Sequence, residues 1–343
     1  MLLRFFNCGV VATLLACTLA WADAPLPVAA VRNVPETFFG TTVDDPYRYF
    51  EDTQAPEVAA WMKAHSDHAH HVLQRIAGRP GLREKLERLD ASAPARIYRV
   101  DRVRGDLYFY QRRGAHDDQF KLYVRHGLAG TERLLFDPEA LKAATGQLHA
   151  INYFAPSPDG RWVALGVSAA GSEDASLRII DVRTGRQVGP EISRAQFGAQ
   201  SWSPDGEELF FNRLQALKEG MPATEKYQRS SIEAIRPGGQ EKDLRTLLRA
   251  GEALGIPATE IPYLDIQPDG RVILYAHDGV SPDFCLWHTT LAALREGKPR
   301  WQMLAGRDDH VTAVQLHGGR VFMLSFRDAP RYRLLTGKLL IFP

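Results

Sequence analysis

Cysteine, net charge and long apolar runs are all scarce in this 343-residue sequence. Of its three cysteines, Cys8 and Cys17 lie in an amino-terminal stretch that reads as a leader, which leaves only Cys285 in the rest of the chain. A single thiol closes no internal disulfide, so packing must hold the fold even in an oxidising compartment. Cys285 sits in the apolar run Phe284-Cys285-Leu286-Trp287, the setting of a buried, inert thiol. With 42 basic and 41 acidic residues the formal net charge is +1, too balanced to gather nucleic acid or an anionic membrane, and nucleic-acid binding is set aside. What remains is an ordinary globular composition, 45% hydrophobic and 24% charged, in a chain long enough for two domains or one large β body.

The leader spans residues 1–22. Arg4 gives a positive start, residues 5–19 are mostly apolar, and Ala20-Trp21-Ala22 is a small-x-small cleavage site followed by Asp23, Pro25 and Pro27. The apolar run is shorter than the roughly 20 residues needed to cross the hydrocarbon layer, so cleavage is expected rather than anchoring, with no membrane association afterwards. Leu14-Leu15-Ala16-Cys17 resembles a lipobox, but cleavage after Ala22 fits better than lipidation at Cys17. The expected location is periplasmic or secreted.

Beyond the leader the periodicity changes once. Over residues 56–76 the positions Val58, Trp61, His65, Ala69, Val72 and Ile76 recur every three or four residues, with Pro56 suited to a first turn and Gly78 to a stop. Pro80-Gly81 opens a second short helix with Leu82, Leu86 and Leu89 on one face. After Pro94 short β-type runs take over, punctuated by Gly, Asp and Pro. The expected domains are a helical segment over residues 23–92 and a β region over residues 93–343.

The β region repeats. Ser157-Pro158-Asp159-Gly160, Ser203-Pro204-Asp205-Gly206 and Gln267-Pro268-Asp269-Gly270 each precede a short strand, at residues 161–167, 208–212 and 271–276. Proline presets φ, aspartate bonds its local backbone and glycine accepts positive φ, so each string is a tight turn. Looser copies lie at Arg104-Gly105-Asp106 and at Gly318-Gly319, and alternation at Phe120, Leu122 and Val124 followed by a turn at residues 127–130 marks a meander. The three full copies are 46 and then 64 residues apart, the wider interval holding an inserted loop around residues 220–227. A unit of roughly 40 to 50 residues built from short strands is a propeller blade, and about five such units fit the chain. A blade cannot close a core alone, so a complete ring is what the physics asks for.

Specific strings then carry a family resemblance. Asp45-Pro46-Tyr47-Arg48-Tyr49-Phe50-Glu51-Asp52 resembles the signature near the start of prolyl oligopeptidases, with Tyr49 and Phe50 in place of Trp and Leu. The stretch from Ala164 to Glu173, Ala199-Gln200-Ser201-Trp202 ahead of the second full turn, and Leu286-Trp287 after Asp278-Gly279 also fall where that family has its counterparts. The resemblance covers about residues 31–335. It implies a mainly β chain, an incomplete seven-bladed β-propeller preceded by a short α-helical segment. In the family the propeller filters access to an α/β-hydrolase domain that cuts short proline-containing peptides after proline.

That chemistry needs a serine on a Gly-x-Ser-x-Gly elbow, followed by Asp and His, because the hydroxyl is inert without a positioned base and oxyanion donors. The sequence contains no such elbow. Gly166-Val167-Ser168-Ala169-Ala170-Gly171 has its second glycine one place too far, which makes Ser168 a strand or loop serine. Family order puts the whole triad beyond residue 343, so the expectation is a chain cut off before its catalytic part, with no catalytic residue and no peptidase activity of its own. By position Phe197 matches a pocket phenylalanine, His277 stands where the family often has an arginine that bonds a substrate carbonyl, and Val280 where it has a cysteine. Without the resemblance, Phe197 would read as inter-blade packing.

His65, His68, His70 and His71 are dense enough to raise a metal hypothesis, but a helix turns His70 and His71 away from the face of His65 and His68. No metal and no cofactor is expected, and His65 is assigned to the apolar stripe. The rival to the partial peptidase is a free-standing periplasmic propeller that binds or scaffolds. The segment over residues 45–76 separates the two, since a stand-alone propeller has no use for a hydrolase-docking signature.

Overall fold

The computed structural model describes residues 26–339, so the expected leader and the last four residues lie outside the described residues. The chain divides between Asp90 and Ala91 into two compact units, two residues before the expected boundary.

The first unit opens with an antiparallel hairpin, β1 (Val34–Phe38) and β2 (Thr41–Asp45), ahead of the expected helices. Its turn residues Phe39 and Gly40 both have positive φ, 50° and 82°. A single 3-10 turn, Arg48–Glu51, leads to α1 (Pro56–Gln74) and α2 (Arg79–Ala91). The signature string builds this corner. The Asp45 carboxylate accepts from the Tyr47 amide at 2.9 Å and from Arg48 Nε at 2.7 Å, and Arg48 also pairs with Glu36 of β1.

The Trp61 ring of α1 packs edge-on against Phe50 at 4.9 Å and over His65 at 3.9 Å. Val72 and Ile76 are exposed, as is the whole leucine face of α2, where Leu82, Leu86 and Leu89 are 59%, 57% and 58% accessible.

The second unit is five antiparallel sheets in chain order. The first holds β3 (Ala95–Val103), β4 (Leu107–Gly114), β5 (Lys121–His126) and β6 (Arg133–Phe136), and a short helix α3 (Glu139–Thr145) follows it. The second holds β7 (His149–Pro156), β8 (Trp162–Ala169), β9 (Ser176–Asp181) and β10 (Arg186–Gln187). The third holds β11 (Ala199–Trp202), β12 (Leu209–Arg213), β13 (Ser231–Ile235) and β14 (Arg245–Arg249). The fourth holds β15 (Ile261–Ile266), β16 (Arg271–His277) and β17 (Phe284–Thr290), then a one-turn helix α4 (Leu291–Arg295) and β18 (Gln302–Ala305). The fifth has three strands among the described residues, β19 (Val311–His317), β20 (Arg320–Ser325) and β21 (Arg333–Lys338). Within every sheet each strand bonds the next one along the chain, and the opening strands of successive sheets run side by side, β7 by β11 and β11 by β15.

Side-chain alternation explains why the middle strands are apolar throughout. Successive residues of a strand point to opposite faces, and a blade between two others buries both. On β12, Phe211 packs toward the second sheet with Leu177 and Ile179, while its neighbour Phe210 packs toward the fourth with Leu264 and Leu274; both phenylalanines are fully buried. Phe109 and Leu122 join Phe154 and Leu165 between the first and second sheets, and Ile273 and Leu286 join Val311 between the fourth and fifth.

The sheets at either end of the series differ. On the first, Arg125 lies over Tyr110 at 5.2 Å and Arg112 over Tyr123 at 5.7 Å, so arginines cap the outer aromatic face. On the fifth, Leu334 is 67% accessible beside its cross-strand neighbour Leu324.

The repeated turns form as their residues dictate. The Ser157 hydroxyl donates to Asp159 at 2.7 Å and accepts from the Trp162 amide at 3.0 Å, and Ser203 makes the same pair of bonds to Asp205 and Glu208. Both serines are fully buried. All five first-to-second strand turns lie at one end of the sheets, and the loops joining second to third strands lie at the other.

Candidate functional site: an aromatic shelf at the loop end

Phe197 and His277, singled out from sequence, belong to different sheets, and the fold connects them through Tyr263. Phe197 lies two residues ahead of β11, Tyr263 is near the start of β15, and His277 ends β16. The Tyr263 ring lies 6.5 Å from Phe197 and meets His277 edge-on at 5.5 Å. Its cross-strand partner Tyr275 stacks on it at 5.4 Å, with 11° between the planes. Phe284 closes the far side at 4.9 Å from His277, and Tyr227, from the inserted loop, stands 6.4 Å from Phe197.

The inserted loop is held in place. Its 3-10 turn, Ala223–Tyr227, carries Lys226, which pairs with Asp174 of the β8–β9 loop at 2.7 Å. The wide interval between the second and third full turns is therefore the β12–β13 connection, lying at the loop end beside Phe197.

The shelf is electrically quiet. Burial pushes His277 below the ordinary imidazole range, only partly offset by Ser281 and Asp283, so the ring is neutral at pH 7. Burial likewise raises Tyr263 and, helped by Asp265, pushes Tyr275 up to about 12. A half-buried wall of neutral rings offers dispersion contact and a few weak hydrogen-bonding groups, as suits an apolar or ring-shaped side chain.

Val280 does not join this wall; it is fully exposed in the β16–β17 loop. Arg307, of the turn ahead of β19, pairs with the buried Glu260 and reaches Asp278, the residue after His277, at 3.7 Å. Sequence reading missed Tyr227, Tyr263, Tyr275 and Phe284. Ser168 is a buried residue of β8. The His65 ring donates from Nε2 to the Pro27 carbonyl at 3.1 Å, and the His70 ring donates from Nδ1 to the Ser66 carbonyl within its own helix at 2.8 Å.

Five consecutive meander sheets with their opening strands side by side define a β-propeller module. The chain belongs to the family described as the prolyl oligopeptidase N-terminal beta-propeller domain, whose model matches residues 27–232. It is 23% identical over 305 residues to a prolyl endopeptidase of Elizabethkingia meningoseptica, covering 88% of this chain and 41% of that protein. It is 28% identical over 197 residues to an uncharacterized peptidase, y4sO, of Sinorhizobium fredii, covering 56% of this chain and 26% of that one. Among solved structures, a prolyl endopeptidase studied for inter-domain dynamics superposes with a TM-score of 0.77 at 24% identity, covering 91% of this chain and 44% of that one. Prolyl oligopeptidase B from Galerina marginata, solved with a bound 35mer substrate, superposes with a TM-score of 0.71 at 18% identity, covering 91% and 46%. The chain thus spans less than half the length of these relatives.

Proposed function

We propose that the chain is the substrate-gating part of a secreted or periplasmic peptidase that cleaves short peptides after proline, and that it works only together with a hydrolase part. The convergence of Phe197 and His277 on Tyr263 carries this reading: two residues chosen by family position, 80 apart in sequence, meet in one wall suited to a peptide side chain. In this reading Phe197 supplies an apolar surface, and His277 offers a neutral ring nitrogen where relatives often place a charge. With no Gly-x-Ser-x-Gly string in these residues, this reading takes the nucleophile from polypeptide outside them.

The test joins the chain to the downstream-encoded polypeptide and assays hydrolysis of a chromogenic dipeptide ending in proline. The chain alone is expected to be inactive and the joined protein active, with Phe197→Ala raising KM severalfold at nearly constant kcat. Downstream DNA without the elbow in any frame, or kinetics indifferent to both Phe197→Ala and His277→Ala, would overturn the proposal.

A further inference from the structure

The proline of each repeated turn has a consequence that turn chemistry alone does not require. Pro158, Pro204 and Pro268 come from three successive sheets, yet they line one cavity of about 490 Å³ at the turn end, together with Trp202 and Ile266 from the last positions of β11 and β15. This is the opposite end of the sheets from the aromatic shelf. The wall is stiff: proline loses no side-chain rotamers on contact with a ligand, and Trp202 is almost fully buried with its indole nitrogen bonded to the Ala155 carbonyl at 3.0 Å. A pocket organised beforehand loses little entropy on binding.

The charged lining of the cavity is net positive. Arg102 and Asp106 both line it and neutralise each other, with Arg102 Nε to Asp106 Oδ1 at 3.0 Å. Arg104 lines it too, and among the described residues no carboxylate pairs with its guanidinium; its main-chain N–H donates to the Pro158 carbonyl at 3.3 Å, which fixes the backbone at the rim. An apolar pocket lined by one uncompensated arginine is complementary to an apolar group that carries one carboxylate.

We infer that this cavity is a binding site for the carboxyl-terminal residue of an apolar peptide, its side chain against Pro158, Pro204, Pro268 and Trp202 and its terminal carboxylate on Arg104. A capture site for peptide carboxyl ends at the turn end of the sheets is independent of what the aromatic shelf recognises. It therefore stands or falls separately from the proposed peptidase role.

The experiment uses the full chain and two acetylated tripeptides ending in leucine, one a free acid and the other its amide, titrated by calorimetry. The acid is expected to bind about tenfold more tightly than the amide, with a preference that shrinks as salt is raised. Arg104→Gln should bring the acid down to the level of the amide, while Phe197→Ala should leave the preference intact. Arg104 is exposed, so its substitution spares the core. Equal affinity for acid and amide, no saturable binding of the acid, or a preference that survives Arg104→Gln would overturn the inference. Loss of binding in Phe197→Ala would overturn it as well, by moving the peptide to the other end of the sheets.

Discussion

The indole nitrogen of Trp202 donates to the main-chain carbonyl of Ala155 at 3.0 Å, joining the opening strand of the third sheet to that of the second. The bond crosses a seam closed also by apolar contact and by Arg161, which reaches Glu207 at 2.9 Å, and Trp202 itself is almost fully buried. Removing the donor leaves a carbonyl without its partner, at a cost of about 1–2 kcal/mol. Trp202→Phe should lower the stability of the chain by roughly that much in urea denaturation with the slope unchanged. No loss would mean that the seam does not depend on this bond.

Gly166, in the middle of β8, has the Tyr153 ring lying directly on the place a Cβ would occupy. Tyr153 cannot easily swing aside, because its hydroxyl donates to the Ala195 carbonyl at 2.7 Å. Gly166→Ala should therefore destabilise by about 1–3 kcal/mol through overpacking, read as a lower thermal midpoint. Combining it with Tyr153→Phe, which frees the ring from Ala195, should cost less than the sum of the two single changes.

Glu208 is buried at the seam between the third and fourth sheets and is shared by Arg245 at 2.9 Å and Arg295 at 2.7 Å, while Arg295 also reaches Asp205 at 2.9 Å. Partial burial alone would raise the Asp205 carboxyl, but the Ser203 hydroxyl, the Glu207 amide and Arg295 outweigh it and hold the group at about 2. A carboxyl held below its unfolded value, near 4, stabilises the fold above that value, and the contribution is lost as pH falls through the folded value. The urea midpoint should therefore drop between about pH 4 and pH 2, and Asp205→Asn should flatten that drop. An unchanged slope in the variant would assign the acid sensitivity to other carboxylates.

Cys285 is buried on β17, and burial, with Asp283 and Asp309 nearby, pushes its thiol above the ordinary range. Only the thiolate reacts quickly with disulfide reagents. In a chain with Cys8 and Cys17 changed to serine, Ellman's reagent should label Cys285 only after denaturant is added; fast labelling of the native chain would show that the fourth sheet opens locally.

The exposed leucines Leu82, Leu86 and Leu89 on α2 and, separately, Leu334 on β21 present apolar surface of the kind that drives self-association. Residues 23–343 should elute from size exclusion as more than a monomer, and Leu86→Glu with Leu334→Glu should shift the profile toward monomer. A well-behaved monomer without the changes would show that neither patch is adhesive.

Most of the sheet architecture was legible because each turn needs residues that few other settings want. Ser157-Pro158-Asp159-Gly160 and its copies fixed the end of one strand and the start of the next, and their spacing gave about five units where the second compact unit has five sheets. The hairpin over Val34–Asp45 was not legible. Its turn puts Phe39 at positive φ, and phenylalanine followed by glycine lacks the Asn-Gly or Asp-Gly signal that announces such turns. At the aromatic shelf, Phe197 and His277 were found by family position, but the residue that joins them was not. Tyr263 and Tyr275 face each other only because of the β15–β16 register, and register is a property of the paired strands that neither strand shows alone.

Because every sheet is a continuous stretch of chain whose strands pair in the order they are made, no strand has to wait for a distant segment. Each blade can be completed as it leaves the ribosome, and its outward apolar face then serves as the surface on which the next one condenses. Construction of this kind runs in one direction, so a slow-translating stretch between Thr290 and Val311 would leave the first three blades assembled and waiting rather than tangled.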